Sequence, residues 1–325
     1  MFDNARLRRT MVALAGALLV MISGGPAHAD RPVGDNPLGG QIAIPCGAGT
    51  LGVHADWYLP AATPRALIWL QHGFARSAAN VADLGRRFAD AGYLVVAPNL
   101  PSADADDCTL QNVTGNTAFL AGIANLFEPG APTGLTTALA AAARTAGRAV
   151  PAIPDRWVFV GHSAGGEAVE YVADQLLLRH PALWPRLRGL ILLDPVASFV
   201  GDNTARALTD LDTTSLPILT VSGPAGLCNN FGSGTAALQA RLHRPYVGVR
   251  LPGGVHTDAE GTSSDVVGEL FCGAPRSDDI GTLQTLATGW AHDFVSGART
   301  PGLYPDDTAP QRLAAAPDAT VLTGA

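Results

Sequence analysis

Four strand-forming residues, Trp157-Val158-Phe159-Val160, run directly into Gly161-His162-Ser163-Ala164-Gly165-Gly166, and a segment of helical period follows at once. A chain that passes from strand to helix in so few residues needs positions without a Cβ, and Gly161 and Gly165 supply them. Such a turn sets Ser163 at the end of a strand, clear of its neighbours. It also puts the Ala164 N–H at the start of a helix, where the backbone dipole favours negative charge. A serine hydroxyl is a weak nucleophile until a base takes its proton, so the pattern asks for a histidine elsewhere in the chain. Gly-x-Ser-x-Gly also arises by chance in Gly-rich chains, as an ordinary strand–helix turn. The strand before it and the helix after it favour the reactive reading.

The rest of the chain supplies a frame for that turn. Residues 41–45 and 53–59 alternate apolar and polar positions around Gly47, Gly49 and Gly52, which predicts an opening antiparallel hairpin. Continuous apolar runs of strand length follow at 66–71, 93–97, 189–193 and 217–221, with a further strand at 246–251. Helical periods lie at 78–91, 113–127, 133–146, from the Ser163 turn to about 179, and at 234–243, 264–271 and 280–296. Strands alternating with helices predict an α/β fold: a mostly parallel central sheet flanked by helices on both faces. One catalytic domain is expected over residues 41–297, preceded by a flexible lead-in at 30–40 and followed by a C-terminal tail at 298–325 that lacks a clear period.

In a sheet of this kind, ligands sit at the C-terminal ends of the strands. Four of those ends carry His72-Gly73-Phe74, Ser163, Asp194 and His256. His256 follows the last parallel strand through Gly253-Gly254 and is the expected general base; the bland alternative is a surface-loop histidine. Asp194 is the expected acid that orients it, with Asp202 in the following loop as runner-up, and a turn former before Pro195 as the bland alternative. The backbone N–H groups of Phe74 and Ala164 are the expected oxyanion donors. Phe74 and His162 are expected to line the substrate pocket, with His162 directed away from the serine hydroxyl. An apolar-core role is the alternative for the Phe74 ring.

The chain order Ser…Asp…His, with a His-Gly loop ahead of the Gly-x-Ser-x-Gly turn, is that of the α/β-hydrolase fold. His72-Gly73-Phe74, the elbow 161–166, Leu193-Asp194-Pro195-Val196 and Val255-His256 together resemble serine esterases of that superfamily. In particular they resemble the chlorophyllase and platelet-activating-factor acetylhydrolase-like branch. The resemblance spans roughly residues 50–296 and implies hydrolysis of a carboxylic ester through an acyl-enzyme, without metal or organic cofactor. It also favours Asp194 as the acid, because those families place it after the strand that follows the elbow. Ala164 stands where chlorophyllases tend to carry Arg, and segments 99–150 and 196–215 match neither family. The implied substrate is a small-molecule or lipid-like ester. Two alternatives use the same residues: an envelope acyltransferase that excludes water, and an inactive binding protein of the same fold.

Composition fits an exported globular enzyme. Of 325 residues, 47% are hydrophobic and 15% charged, which suits a sizeable core and excludes disorder as the main state. The formal charge is −7 and no basic run follows the N-terminus, so nucleic acid is not an expected partner. Arg6, Arg8 and Arg9 precede an apolar run from Met11 to Ile22, and Ala27-His28-Ala29 fits a cleavage site. Residues 1–29 therefore read as a secretory signal cleaved after Ala29, leaving no membrane span; an uncleaved anchor is the alternative. Four cysteines remain, an even number that suggests two disulfides outside the cytosol. Of the three possible pairings, Cys46–Cys108 and Cys228–Cys272 are expected, each tying a loop to a neighbouring segment. Their spacing lacks a zinc pattern. Asp104, Asp106 and Asp107 read as a solvated loop, since the Gly and closing Glu of a calcium loop are missing.

Overall fold

The computed structural model describes residues 37–306 and 311–325. The expected export signal lies outside the described residues, as does most of the expected lead-in. Among the described residues, nine strands form one sheet in the order β1-β2-β4-β3-β5-β6-β7-β8-β9. They are β1 (Leu38–Cys46), β2 (Gly49–Tyr58), β3 (Leu67–Gln71), β4 (Leu94–Pro98), β5 (Trp157–His162), β6 (Leu187–Leu193), β7 (Ile218–Ser222), β8 (Gly248–Arg250) and β9 (Thr320–Leu322). The hairpin β1–β2 adds antiparallel to β4, and β4, β3, β5, β6, β7 and β8 run parallel.

The helices are α1 (Ala82–Asp90), α2 (Thr117–Ala124), α3 (Leu135–Thr145), α4 (Gly165–Arg179), α5 (Asn203–Asp212), α6 (Ser233–Arg241), α7 (Val266–Cys272) and α8 (Ser277–Ser296). They cover both faces of the sheet, which is why the central strands are buried at almost every position rather than at alternate ones. Trp157 and Phe159 of β5 enter one core with Ala168, Val169, Val172 and Leu176 of α4. Val158 and Val160 enter the other with Leu283, Leu286 and Trp290 of α8. Successive side chains point to opposite faces, so one strand anchors both layers and its C-terminal end is held rigidly.

Two expectations are corrected. The described part of the expected C-terminal tail, 298–306 and 311–325, contributes a strand and core residues. Strand β9 pairs antiparallel with β8, placing Leu322 opposite Gly248. Leu303, Leu313, Ala316 and Val321 are buried in the core, and Trp290 Nε1 donates to Leu303 O at 3.0 Å. These apolar residues are spaced irregularly, so they bury as turns and coil and leave no periodic signal. The lead-in also ends earlier than expected, because Leu38, Gly39 and Gly40 already belong to β1. The helix α5 lies in the stretch 196–215 that the sequence left without an element. No helix among the described residues is long and apolar enough to cross a membrane.

Candidate active site

Close packing dictates the turn after β5. A Cβ on Gly161 would lie 2.4 Å from Gly165 O, and one on Gly165 would lie 2.5 Å from Gln71 O. Ser163 takes left-handed backbone, φ +55°, which a non-glycine residue adopts only where its surroundings enforce it. Those surroundings are explicit. Ser163 N donates to Leu193 O at 3.0 Å, and Ser163 O accepts from Gly166 N at 2.9 Å and from Val196 N at 3.0 Å.

Asp194, at the end of β6, is also left-handed, at φ +43°. Its N–H donates to Val221 O at 2.8 Å. Its Oδ1 accepts from Gly223 N at 3.0 Å, and Asn229 Nδ2 donates to both carboxylate oxygens, at 3.1 and 3.2 Å. His256 opens a short 3-10 turn, His256–Ala259, beyond β8. Its Nδ1 lies 2.6 Å from Asp194 Oδ2 and its Nε2 lies 2.9 Å from Ser163 Oγ. Three residues from three strand ends thus meet in one line. Nδ1–H donates to the carboxylate, which leaves the Nε2 lone pair facing the serine hydroxyl.

The chain has the α/β-hydrolase fold. Strand order, elbow and the Ser…Asp…His order at the ends of β5, β6 and β8 decide it. No protein-family model matches the chain, and no curated protein matches it by sequence. Among solved structures, it is similar to an esterase from Pyrobaculum calidifontis, with 14% identity, 92% of this chain and 95% of that chain covered, and a TM-score of 0.47. It is similar to the esterase domain of a Rhodothermus marinus protein at 16% identity, 78% and 98% coverage and a TM-score of 0.46. A dienelactone hydrolase from Anabaena variabilis matches at 14% identity, 79% and 98% coverage and a TM-score of 0.47.

The remaining expected residues fall in different places. Gly73 lies against the serine, and a Cβ there would come 2.7 Å from Ser163 Cβ. Phe74 follows it and is 41% exposed, so the ring is not a core residue. Among the described residues, neither the Phe74 nor the Ala164 amide has a hydrogen-bond partner. His162 does not line a pocket. It is 1% exposed, and its Nε2 donates to the backbone carbonyl of His256 at 2.9 Å. The reason is the strand period, which turns residue 162 beneath the His256 ring, with centroids 4.8 Å apart. Burial holds its imidazole well below the usual histidine range, so it stays neutral under that ring. Burial likewise lowers His72 to about 4, with Nδ1–H donating to Gly73 O at 2.8 Å. The runner-up acid, Asp202, is away from the site: its side chain is 66% exposed and faces Arg206 at 3.9 Å.

Sequence reading missed three supports. Asn229 holds Asp194, as described. Arg76 binds Glu260 through Nε at 2.7 Å and Asp265 through Nη1 at 3.1 Å, clamping the loop after β3 to the loop after His256. Glu167, on the first turn of α4, accepts from Asn112 N at 3.0 Å and from Asn203 Nδ2 at 3.1 Å. Burial raises Glu167 to about 6 and pushes its neighbour Glu170 well above the carboxylate range. A helical hydrophobic face carries no such acids, so two Glu within an apolar stretch were the available signal.

Disulfides join Cys46 to Cys108 and Cys228 to Cys272. The first stands beside Asp104, whose Oδ1 accepts from Asp106 N at 2.8 Å and from Cys108 N at 3.3 Å. With both sulfurs bonded to each other, that cluster offers a metal no thiolate. Two disulfides are compatible with an extracytoplasmic location.

Proposed function

We propose that the protein is an exported serine hydrolase that cleaves carboxylic esters through an acyl-enzyme, with Ser163 as nucleophile, His256 as general base and Asp194 as orienting acid. The observation that carries the reading is the unbroken hydrogen-bond line from Asp194 through His256 to Ser163 Oγ at a strained elbow. Ser163 Oγ attacks the ester carbonyl while His256 Nε2 takes its proton. The tetrahedral oxyanion forms against the free amides of Phe74 and Ala164, and each such donor contributes about 3 kcal/mol of transition-state stabilisation. As the C–O bond breaks, His256 returns the proton to the departing alcohol. Water, deprotonated by the same imidazole, then releases the acid and restores Ser163. Asp194 stays ionised throughout and holds the imidazolium in place.

The acid on β6, directly after the elbow strand, supports the chlorophyllase and acetylhydrolase-like branch. Export rests on the N-terminal pattern, and N-terminal sequencing of secreted protein should begin at Asp30. A fluorophosphonate probe should label Ser163, and Ser163→Ala should lower turnover of p-nitrophenyl esters by at least about 10³-fold. Labelling elsewhere, or an active Ser163→Ala, would overturn the assignment. A series of esters graded by acyl length then gives the acyl specificity.

A further inference from the structure

Eleven large apolar side chains are exposed among the described residues, and nine of them stand on segments that carry or brace Ser163, Asp194 and His256. The other two, Val150 and Leu178, lie apart from that edge. Scattered exposed hydrophobes are ordinary on a protein surface, but nine on the segments that carry one site are not.

Helix α7 shows the arrangement best. Val266, Val267, Leu270 and Phe271 are 49–80% exposed, and Gly268 is the helix's one buried residue. A seven-residue helix does not stand alone in water, and this one is fastened at both ends. Asp265 receives Arg76 Nη1 at 3.1 Å and Asn80 Nδ2 at 3.2 Å, and Cys272 is bonded to Cys228. Gly268 lies so near Arg76 that a Cβ would come 2.8 Å from Nη2. The fold therefore fixes the helix with its apolar side chains outward.

Across the disulfide, Leu227 and Phe231 flank Asn229, the residue that holds Asp194. Phe231 is 69% exposed and sits at φ +54°, a backbone region that aromatic residues rarely adopt. Phe199 and Val200 extend the cluster from the loop after Asp194, where Val196 N already binds Ser163 O. Phe74 adjoins Gly73, which touches Ser163.

Charge selects among occupants. Residues 196–201, 225–232 and 266–272 carry no cation, and their one ionisable side chain is Glu269. With a formal charge of −7, the molecule is repelled by an anionic bilayer. A second copy seated on the rim would cap Ser163. A surface that is apolar and carries a single ionisable side chain, beside the Ser163 hydroxyl, matches the substrate's own phase.

We propose that this rim docks an uncharged, water-insoluble ester phase, such as a neutral glyceride droplet, and that the site works at that interface. The proposal rests on the esterase reading and narrows its substrate class. Its test avoids turnover altogether. The full chain carrying Ser163→Ala is mixed with triolein droplets and floated, and the bound fraction is measured. In that background, Leu270→Ser with Phe271→Ser should lower partition at least about tenfold, with an unchanged Tm showing that the fold is kept. Leu178→Ser, distant from the rim, should leave partition as it was. The proposal falls if the double variant floats like its parent or if Leu178→Ser loses as much. It also falls if phosphatidylserine vesicles bind better than triolein, or if the double substitution dissociates a dimer in sedimentation. Failure of the esterase reading registers separately, as absent fluorophosphonate labelling at Ser163.

Discussion

Asn229→Ala removes the side chain that anchors the carboxylate behind His256. In the native structure Asn229 Nδ2 lies 3.1 and 3.2 Å from the two Asp194 oxygens, and its Oδ1 accepts from Gly226 N at 2.8 Å and Gly232 N at 2.9 Å. A hydrogen bond to a charged group contributes about 1.5–3 kcal/mol, while the two half-buried glycine amides regain water and lose about 1 kcal/mol or less each. The expected destabilisation is about 2–4 kcal/mol. The Cys228–Cys272 bond still holds the loop, so the variant should fold. Asp194 keeps Gly223 N and His256 but loses its lateral restraint, and the imidazolium formed in the transition state is less well placed. A fall in kcat of about 10–100-fold corresponds to roughly 1.4–2.7 kcal/mol. KM should change little, because Asn229 touches no substrate. Asn229→Asp keeps the acceptor for both glycine amides yet sets a second carboxylate against Asp194, so it should lose more activity than Asn229→Ala. Steady-state kinetics on a p-nitrophenyl ester, paired with urea unfolding, reads both effects. A folded Asn229→Ala with kcat within twofold of the parent, or an Asn229→Asp as active as the parent, would refute the reasoning.

Three further outcomes follow from the same contacts. Gly165→Ala drives a Cβ to 2.5 Å from Gln71 O and 2.6 Å from His72 O, both backbone atoms, so calorimetry should show Tm lower by at least about 5 °C. Glu167 is raised to about 6 and Glu170 is raised further, both by burial, so the folded chain binds their protons more tightly than the unfolded chain. The stability from this source is present below the ordinary glutamate range; the Glu167 share is lost as pH rises through about 6, and the Glu170 share is lost well above the ordinary range. Urea midpoints between pH 4 and 8 should therefore show a falling contribution that Glu170→Gln flattens, and an unchanged slope would count against it. Reducing Cys228–Cys272, which closes a separation of 44 residues, should cost about 4 kcal/mol by loop-closure entropy, read as a lower urea midpoint in dithiothreitol.

Much of this molecule can be read from its residues in order. The runs at 66–71, 157–160 and 189–193 are apolar at nearly every position because helices cover both sheet faces, and that made them visible as strands. The glycines at 161 and 165 announced the elbow because no other residue fits there. Strand ends were therefore located, and Ser163, Asp194 and His256 with them. The C-terminal segment was illegible because Leu303, Leu313 and Ala316 bury without a period. Helix α5 went unread between loops whose turn residues masked its short amphipathic run.

Local sequence determines where the backbone runs straight, bends or coils, since those preferences act within a few residues. It thereby determined the sheet, the elbow and the strand ends on which Ser163, Asp194 and His256 follow. Which side chains stand behind them was decided only in three dimensions. Asn229 reaches Asp194 across 35 positions, His162 reaches the carbonyl of residue 256 across 94, and Arg76 reaches Glu260 across 184. Contacts of that range depend on how strands are ordered and how loops cross above them, and no local preference encodes a partner so far along the chain.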